Sequence, residues 1–143
     1  MRGIEFSGYT TCCSILDGIS TEAYDWYLYE DEIIENEKYV EYNTRITGLQ
    51  LREIMANENN SFIFMNLQAF PKGTVGRKIR DYDDFLASDC SFIVLITDAS
   101  LVEIYTKNTD DLVRFISNAE KCNSKEIRIK IAHSDGRKIF SIR

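Results

Sequence analysis

Histidine, proline and tryptophan each occur once in this chain of 143 residues, as His133, Pro71 and Trp26. No cysteine pair has the C-x-x-C spacing, and one histidine cannot supply the paired ligand clusters of a structural zinc site. The sequence therefore predicts no metal and no cofactor. No apolar run reaches the roughly 18 residues that cross a bilayer, and Glu5 interrupts the place where an export signal would be apolar. These absences predict a cytoplasmic protein without a membrane partner.

Cysteine is sparse as well, and the chain has four: Cys12, Cys13, Cys90 and Cys122. Because disulfides are rare in the reducing cytoplasm, we expect small buried thiols and no cross-link. Cys90 follows Ser88 and Asp89, so it is a candidate nucleophile. A reactive thiolate needs a base, a cation or a helix N-terminus nearby. Cys90 instead follows a predicted helix C-terminus and an acidic neighbour, which predicts a structural role.

Basic residues are scarce in the first part of the chain. Residues 1–60 hold 12 acidic and 4 basic residues, residues 61–143 hold 11 and 13, and the net charge is -6. Phosphate contacts supply most of the affinity for nucleic acids, so this charge disfavours a nucleic-acid partner. The length and the 44% apolar content predict one domain spanning residues 1–143.

Helical and alternating apolar patterns are interspersed, which predicts an α+β fold, a mainly antiparallel sheet with about four helices packed on it. The predicted helices are 8–20, 47–59 with Thr47 as N-cap, 81–89 with Asp81 as N-cap, and 108–122 with Asn108 as N-cap. The predicted strands are 3–7, 25–29, 61–70, 91–98, 101–107, 125–132 and 137–143. A hairpin turn is predicted near Asn36, a second at residues 98–100 and a third at Asp135-Gly136.

Three stretches carry a resemblance to a known family. They are YDWY at 24–27 after an MRGI start, QAFPKG at 68–73, and YDDFLASDCSFIVLITDASLVEIYTK at 82–107. Together they resemble domain of unknown function 2691, a family of short proteins from Bacillus and related bacteria. The resemblance covers most of the chain and implies a soluble bacterial cytoplasmic protein. It implies no catalytic or binding residues, and the adjacent cysteines and the acidic middle are not matched to the family.

The acidic and aromatic stretch 22–42 is the first candidate for function, because acidic patches attract basic partners and Tyr and Trp often anchor interfaces. The predicted contacts to a basic protein partner are Trp26, Tyr27, Tyr29, Glu30, Asp31 and Glu32. The structural alternative is a solvated loop beside an aromatic strand that packs in the core. On balance the sequence favours a non-catalytic interaction protein.

The basic loop 71–80 is the second candidate, as an anion or phosphate site of a binder or small enzyme. Its predicted ligands are Lys72, Arg77 and Lys78, with Cys90 or His133 as the reactive group of an enzyme. A plain surface loop explains the same residues, and no catalytic residue is assigned. The last strand, RKIFSIR at 137–143, is a candidate sheet edge for a homodimer, although its cations blunt it.

Overall fold

The computed structural model describes residues 3–9, 14–122, 126–130, 139–140 and 142. The strands are β1 (Gly3–Phe6), β2 (Tyr24–Glu35), β3 (Lys38–Val40), β4 (Arg45–Ile46), β5 (Asn60–Pro71), β6 (Phe92–Thr97), β7 (Leu101–Thr106) and β8 (Ile127–Lys130). The helices are α1 (Gly48–Ala56), α2 (Tyr82–Ala87), α3 (Thr109–Lys121) and a 3₁₀ helix at Thr21–Ala23.

The described strands form one eight-stranded sheet in the order β3-β2-β5-β6-β7-β1-β8, with β4 also paired to β2. Every pairing between these strands is antiparallel. The predicted α+β class and mainly antiparallel sheet are therefore confirmed. The described residues contain three α-helices, one fewer than expected.

Apolar side chains cover both faces of the sheet, since successive residues of a strand point to opposite faces. On the first face, α1 and α3 pack through Leu51, Leu112 and Phe115. On the second face, α2 and the segments around Ile79 and Phe140 form another apolar cluster. The central strand β6 is buried on both faces, which explains its continuous apolar sequence.

The helix starts follow from local sequence, as predicted. Thr47 and Gln50 form a reciprocal capping box at the start of α1. The Asp81 side chain accepts the Asp84 N–H at α2, and the Asn108 side chain accepts the first free N–H groups of α3. None of these helices is long and apolar enough to cross a membrane.

The predicted helix 8–20 is wrong for its described part, because residues 15–18 form a turn and the other described residues of this range are not helical. The Asn118 side chain of α3 donates hydrogen bonds to the Ile15 and Asp17 carbonyls at 2.9 and 2.8 Å. Gly18 adopts a left-handed backbone with φ +78°. A contact from a distant helix therefore replaces the local helical hydrogen bonds. Residues 10–13 of this prediction lie outside the described residues.

The predicted last hairpin is only partly described, because residues 131–138 lie outside the described residues. Ile139 forms an antiparallel bridge with Asp81, and the Phe140 N–H donates to the Arg80 carbonyl at 2.8 Å. These residues therefore cross the second face of the sheet near α2. The suggestion that RKIFSIR is a sheet edge for a homodimer stays a prediction, because most of this stretch lies outside the described residues.

Cys122 corrects the expectation of unlinked thiols. It stands at the C-cap of α3, packs against the first apolar cluster and is disulfide-bonded. Disulfides are uncommon in reducing compartments. The cytoplasmic location therefore stays a prediction.

Candidate functional site

Trp26, a predicted interface anchor, lies in the core with 0% of its surface exposed. Its Nε1 donates to the Thr21 carbonyl at 2.8 Å, and its ring packs edge-on against Tyr24 and Phe92. A buried indole usually finds such a partner. The prediction that Trp26 contacts a partner is therefore wrong for this conformation.

Asp31, another predicted contact, is buried by a β-bulge in β2. Glu30 and Asp31 together oppose the single residue Met65, and Glu30 takes a left-handed backbone with φ +52°. The Asp31 carboxylate then accepts the Tyr42 N–H at 2.6 Å and the Asn43 N–H at 2.8 Å. Its role is to hold the following chain beside β2, and it offers no surface to a partner.

The remaining predicted contacts do not form one surface with Trp26. Tyr27 and Tyr29 are half-buried on the second face and stack at 6.2 Å. Glu30 accepts the Ile142 N–H at 3.2 Å and lies 3.7 Å from the Lys78 Nζ. Glu32 is half-buried. The predicted acidic and aromatic patch is thus divided between the core, the bulge and the second face.

The predicted anion ligands are largely satisfied by the chain itself. Arg77 makes a two-pronged bond to Asp84, with N–O distances of 2.8 and 2.6 Å, and this bond lowers the Asp84 pKa. Lys78 lies against Glu30 and over the Tyr29 ring, while Lys72 is exposed. Because two of three cations are already neutralised, the loop offers little attraction to an added anion.

The structure places Cys90 in the second apolar cluster, with 0% of its surface exposed. Burial raises the pKa of its thiol to about 12. This environment supports the structural interpretation of the Ser88-Asp89-Cys90 stretch. His133 lies outside the described residues.

We expect Cys90 to resist alkylation by iodoacetamide in the native protein at pH near 8, because the reagent needs an accessible thiolate. Peptide mass mapping would follow this cysteine separately from the others. In urea the same residue should react at the rate of an ordinary thiol. Fast modification in the folded state would show that the thiol is accessible and would reopen a catalytic role.

A groove with a volume of about 440 Å³ lies between the chain that leads into β4 and helix α1. We call it the acidic groove; its lining residues are Glu35, Tyr42, Thr44, Arg45, Ile46, Gln50, Glu53, Ile54 and Asn57. Because the α1 side supplies positions 50, 53, 54 and 57, one stripe of the helix at i, i+3, i+4 and i+7 forms that wall. The capping box at Thr47 starts the helix directly after β4, so the two walls lie side by side.

The charges of the acidic groove are negative. Glu35 accepts the Tyr42 hydroxyl at 2.9 Å, and burial together with this bond raises the pKa of Tyr42 to about 12. Glu53 is exposed on the α1 wall. Among the described residues neither Glu35 nor Glu53 forms an ion pair. The groove therefore carries two uncompensated carboxylates above an apolar floor of Ile46 and Ile54, both buried.

Arg45 is the cation among the described residues that line the acidic groove, and it is neutralised elsewhere. The Arg45 Nη2 lies 2.9 Å from the Asp25 Oδ1, and this hydrogen bond lowers the Asp25 pKa. Arg45 opposes Tyr27 in the ladder, so its side chain lies on the second face with Asp25 and Tyr27. Its positive charge is therefore directed away from Glu35 and Glu53.

A smaller cavity of about 240 Å³ lies between residues 14–21 and α1. Its cation, Arg52, donates to the Thr21 Oγ1 at 3.0 Å and lies 3.5 Å from Glu22. Both partners belong to the chain itself. Within the residues that the structure describes, no three His, Cys, Asp or Glu side chains converge as metal ligands.

Comparison with known proteins gives one family. The model of the family described as "Protein of unknown function (DUF2691)" matches residues 1–141. The chain belongs to the DUF2691 family. The earlier resemblance is thereby confirmed. This DUF2691 protein is also 25% identical over 122 residues to the uncharacterized protein YncE of Bacillus subtilis (strain 168), covering 85% of this chain and 79% of that protein. No solved structure matches.

The comparisons assign no activity to any residue of this DUF2691 protein, so a function must be argued from its geometry. Two lining residues of the acidic groove, Glu35 and Tyr42, belong to the acidic stretch 22–42 that the sequence analysis selected. That prediction missed Glu53 and the α1 wall. The sequence shows the i, i+3, i+4 and i+7 spacing from Gln50 to Asn57. It does not show that β4 lies next to this stripe of α1.

Proposed function

We propose that this DUF2691 protein is a non-catalytic interaction module that binds a basic segment of a partner protein in the acidic groove. The observation that carries the proposal is the pair Glu35 and Glu53, two carboxylates that line the groove with an apolar floor and form no ion pair among the described residues. The prediction of a basic partner is kept, and its place moves from residues 26–32 to this groove.

Lysine and arginine side chains fit this combination of surfaces. Their aliphatic stems can cover the Ile46 and Ile54 floor while the charged ends reach carboxylates at the rim. Charge-assisted hydrogen bonds to Glu35 or Glu53 would fix the cation. Tyr42 already orients Glu35, so less side-chain freedom is lost on binding.

Asn60 is a buried neighbour of two residues that line the acidic groove. It lies opposite Glu35 in the ladder, and its Nδ2 donates to the Ile54 carbonyl at 3.0 Å. Its Oδ1 is buried and has no hydrogen-bond partner among the described residues. Lysine and arginine side chains carry donors only, so they complement the carboxylate acceptors of Glu35 and Glu53 that line the groove.

A direct test uses fluorescein-labelled octa-arginine as the probe, followed by anisotropy. We expect binding that weakens as salt rises from about 50 to 300 mM, because the attraction is electrostatic. The Glu35→Gln/Glu53→Gln double variant should bind at least about tenfold more weakly, a loss of about 1.4 kcal/mol.

The matched control is Glu37→Gln/Glu41→Gln, which removes the same charge from exposed positions that do not line the groove. It should bind within about twofold of wild type. Proteins captured from a bacterial lysate should likewise be lost by the groove variant and kept by the control. Equal losses in both variants would mean general surface charge, and the proposal would fail.

A further inference from the structure

The backbone of β4 offers a second set of contacts at the acidic groove. The Leu28 N–H donates to the Thr44 carbonyl at 2.9 Å, and the register places Tyr27 opposite Arg45. In an antiparallel ladder, hydrogen-bonded and non-hydrogen-bonded pairs alternate. Leu28–Thr44 is a hydrogen-bonded pair, so Tyr27–Arg45 is the non-hydrogen-bonded kind. The Arg45 N–H and C=O therefore point away from β2.

This outward edge of β4 is unoccupied by the rest of the described chain. β4 lies at the margin of the sheet, where β2 is its paired neighbour. Within residues 3–9, 14–122, 126–130, 139–140 and 142, no hydrogen bond to the Arg45 N–H or C=O is found. Arg45 nevertheless lines the acidic groove. Since its side chain lies on the second face with Asp25, its backbone is the part turned to the groove.

Free backbone groups at a sheet edge are a template for an added strand. Consecutive residues Thr44, Arg45 and Ile46 line the groove, so β4 forms part of its wall. Resting on the proposed function, we infer that the basic partner binds as an extended segment that adds a short strand to the β4 edge. The Arg45 N–H and C=O pair with the partner backbone, and Glu35 and Glu53 bind its basic side chains.

The Asp25–Arg45 ion pair keeps the Arg45 guanidinium away from the bound segment. It holds the Arg45 side chain on the face opposite the groove, at 2.9 Å from the Asp25 Oδ1. Like charges juxtaposed at an interface cost affinity. The incoming cation therefore meets the carboxylates of the groove and the neutral backbone of Arg45.

The test compares a variant that lacks the backbone donor with one that lacks only the side chain. Arg45→Pro removes the N–H, and proline is tolerated where an edge N–H points outward. Arg45→Ala keeps the N–H and removes the guanidinium. With octa-arginine as probe, Arg45→Ala should bind within about twofold of wild type, and Arg45→Pro at least about tenfold more weakly. Urea unfolding of both variants shows whether they fold equally well.

Two further measurements use the wild-type protein and need no substitution. Octa-arginine that is N-methylated at every backbone amide keeps its guanidinium groups and its charge but has no backbone N–H donors, so its binding should fall at least about tenfold. Amide hydrogen exchange at Arg45 should be fast in the free protein and at least about tenfold slower with the unmodified peptide.

The outcomes separate the two claims. If the proline variant and the methylated peptide bind normally while Glu35→Gln/Glu53→Gln still fails, strand addition is wrong and the basic-partner proposal stands. If wild type binds neither peptide, both are wrong. If Arg45 exchange slows with protein concentration and no peptide, the edge pairs with a second copy of this chain, and the inferred occupant is wrong.

Discussion

Replacing Asp31 with alanine should lower the free energy of unfolding by about 3 kcal/mol, although this residue lies in the most acidic part of the chain. The reason is that its carboxylate is the acceptor for two backbone donors, the N–H groups of Tyr42 and Asn43. Alanine leaves both N–H groups without that acceptor. Urea unfolding followed by circular dichroism measures the loss.

Two further variants make the Asp31 result specific. Asp31→Asn keeps one acceptor oxygen and sets its amide group against the other N–H, so its loss should be smaller, about 1–2 kcal/mol. Glu37→Ala removes an exposed carboxylate from the same hairpin and should change stability by less than about 0.5 kcal/mol. A loss at Asp31 no larger than at Glu37 would mean that the buried carboxylate does not hold the 42–43 chain.

The same residue would also affect binding indirectly. Tyr42 donates its N–H to Asp31, and Tyr42 and Thr44 both line the acidic groove. We therefore expect Asp31→Ala to weaken octa-arginine binding even when the variant is folded in the absence of urea. Such a loss is positional, because Asp31 itself is 0% exposed and cannot touch the peptide.

Local signals in the sequence were sufficient for the parts of the fold that local chemistry decides. Thr47, Asp81 and Asn108 are short polar residues that satisfy free N–H groups at helix starts, and each caps the predicted helix. The β6–β7 hairpin turns at Asp98 and Ala99 with positive φ, inside the predicted turn. The turn near Asn36 is likewise present between β2 and β3.

Predictions failed where a distant residue decides the local structure. The 15–18 turn depends on hydrogen bonds from Asn118, more than 100 residues later in the chain. The bulge at Glu30 and Asp31 has no sequence signature of its own, yet it decides which face each later residue of β2 takes. Glu35 reaches the acidic groove only because the bulge shifts this alternation.

The error at Trp26 was avoidable on physical grounds. Neighbouring residues of a strand point to opposite faces, so Trp26 and Tyr27 could not both belong to one surface of β2. The acidic composition shows that residues 1–60 carry an excess of negative charge, but it does not say where a groove lies. Its location depends on β4 and α1 standing side by side, which no single stretch of sequence encodes.

A second large loss of stability is expected at Gln68, a buried amide of β5 on the second face of the sheet. Its Nε2 donates to the Ile79 carbonyl at 2.9 Å and to the Asn66 Oδ1 at 3.1 Å, and its Oε1 accepts the Ile79 N–H at 2.9 Å. Asn66 in turn donates to the Phe140 carbonyl at 3.1 Å. These amides attach two irregular segments to the sheet.

Gln68→Leu keeps a side chain of similar size, but it leaves three buried groups without their hydrogen-bond partner: the N–H and C=O of Ile79 and the Oδ1 of Asn66. Each buried group without a partner costs about 1–3 kcal/mol, so the free energy of unfolding should fall by roughly 3–5 kcal/mol. Leu95→Met, a volume-conserving change opposite Asn66, is the control and should cost less than about 1.5 kcal/mol.

Limited trypsin digestion would show whether the loss of Gln68 opens the attached segment locally or destabilises the whole fold. Arg77, Lys78 and Arg80 lie in the segment that Gln68 holds, while Arg52 lies on the opposite face in α1. In Gln68→Leu, cleavage at the first three sites should accelerate more than cleavage at Arg52, because the segment is released by local opening. Equal acceleration at all four sites would mean that Gln68 stabilises the whole sheet and does not specifically dock this loop.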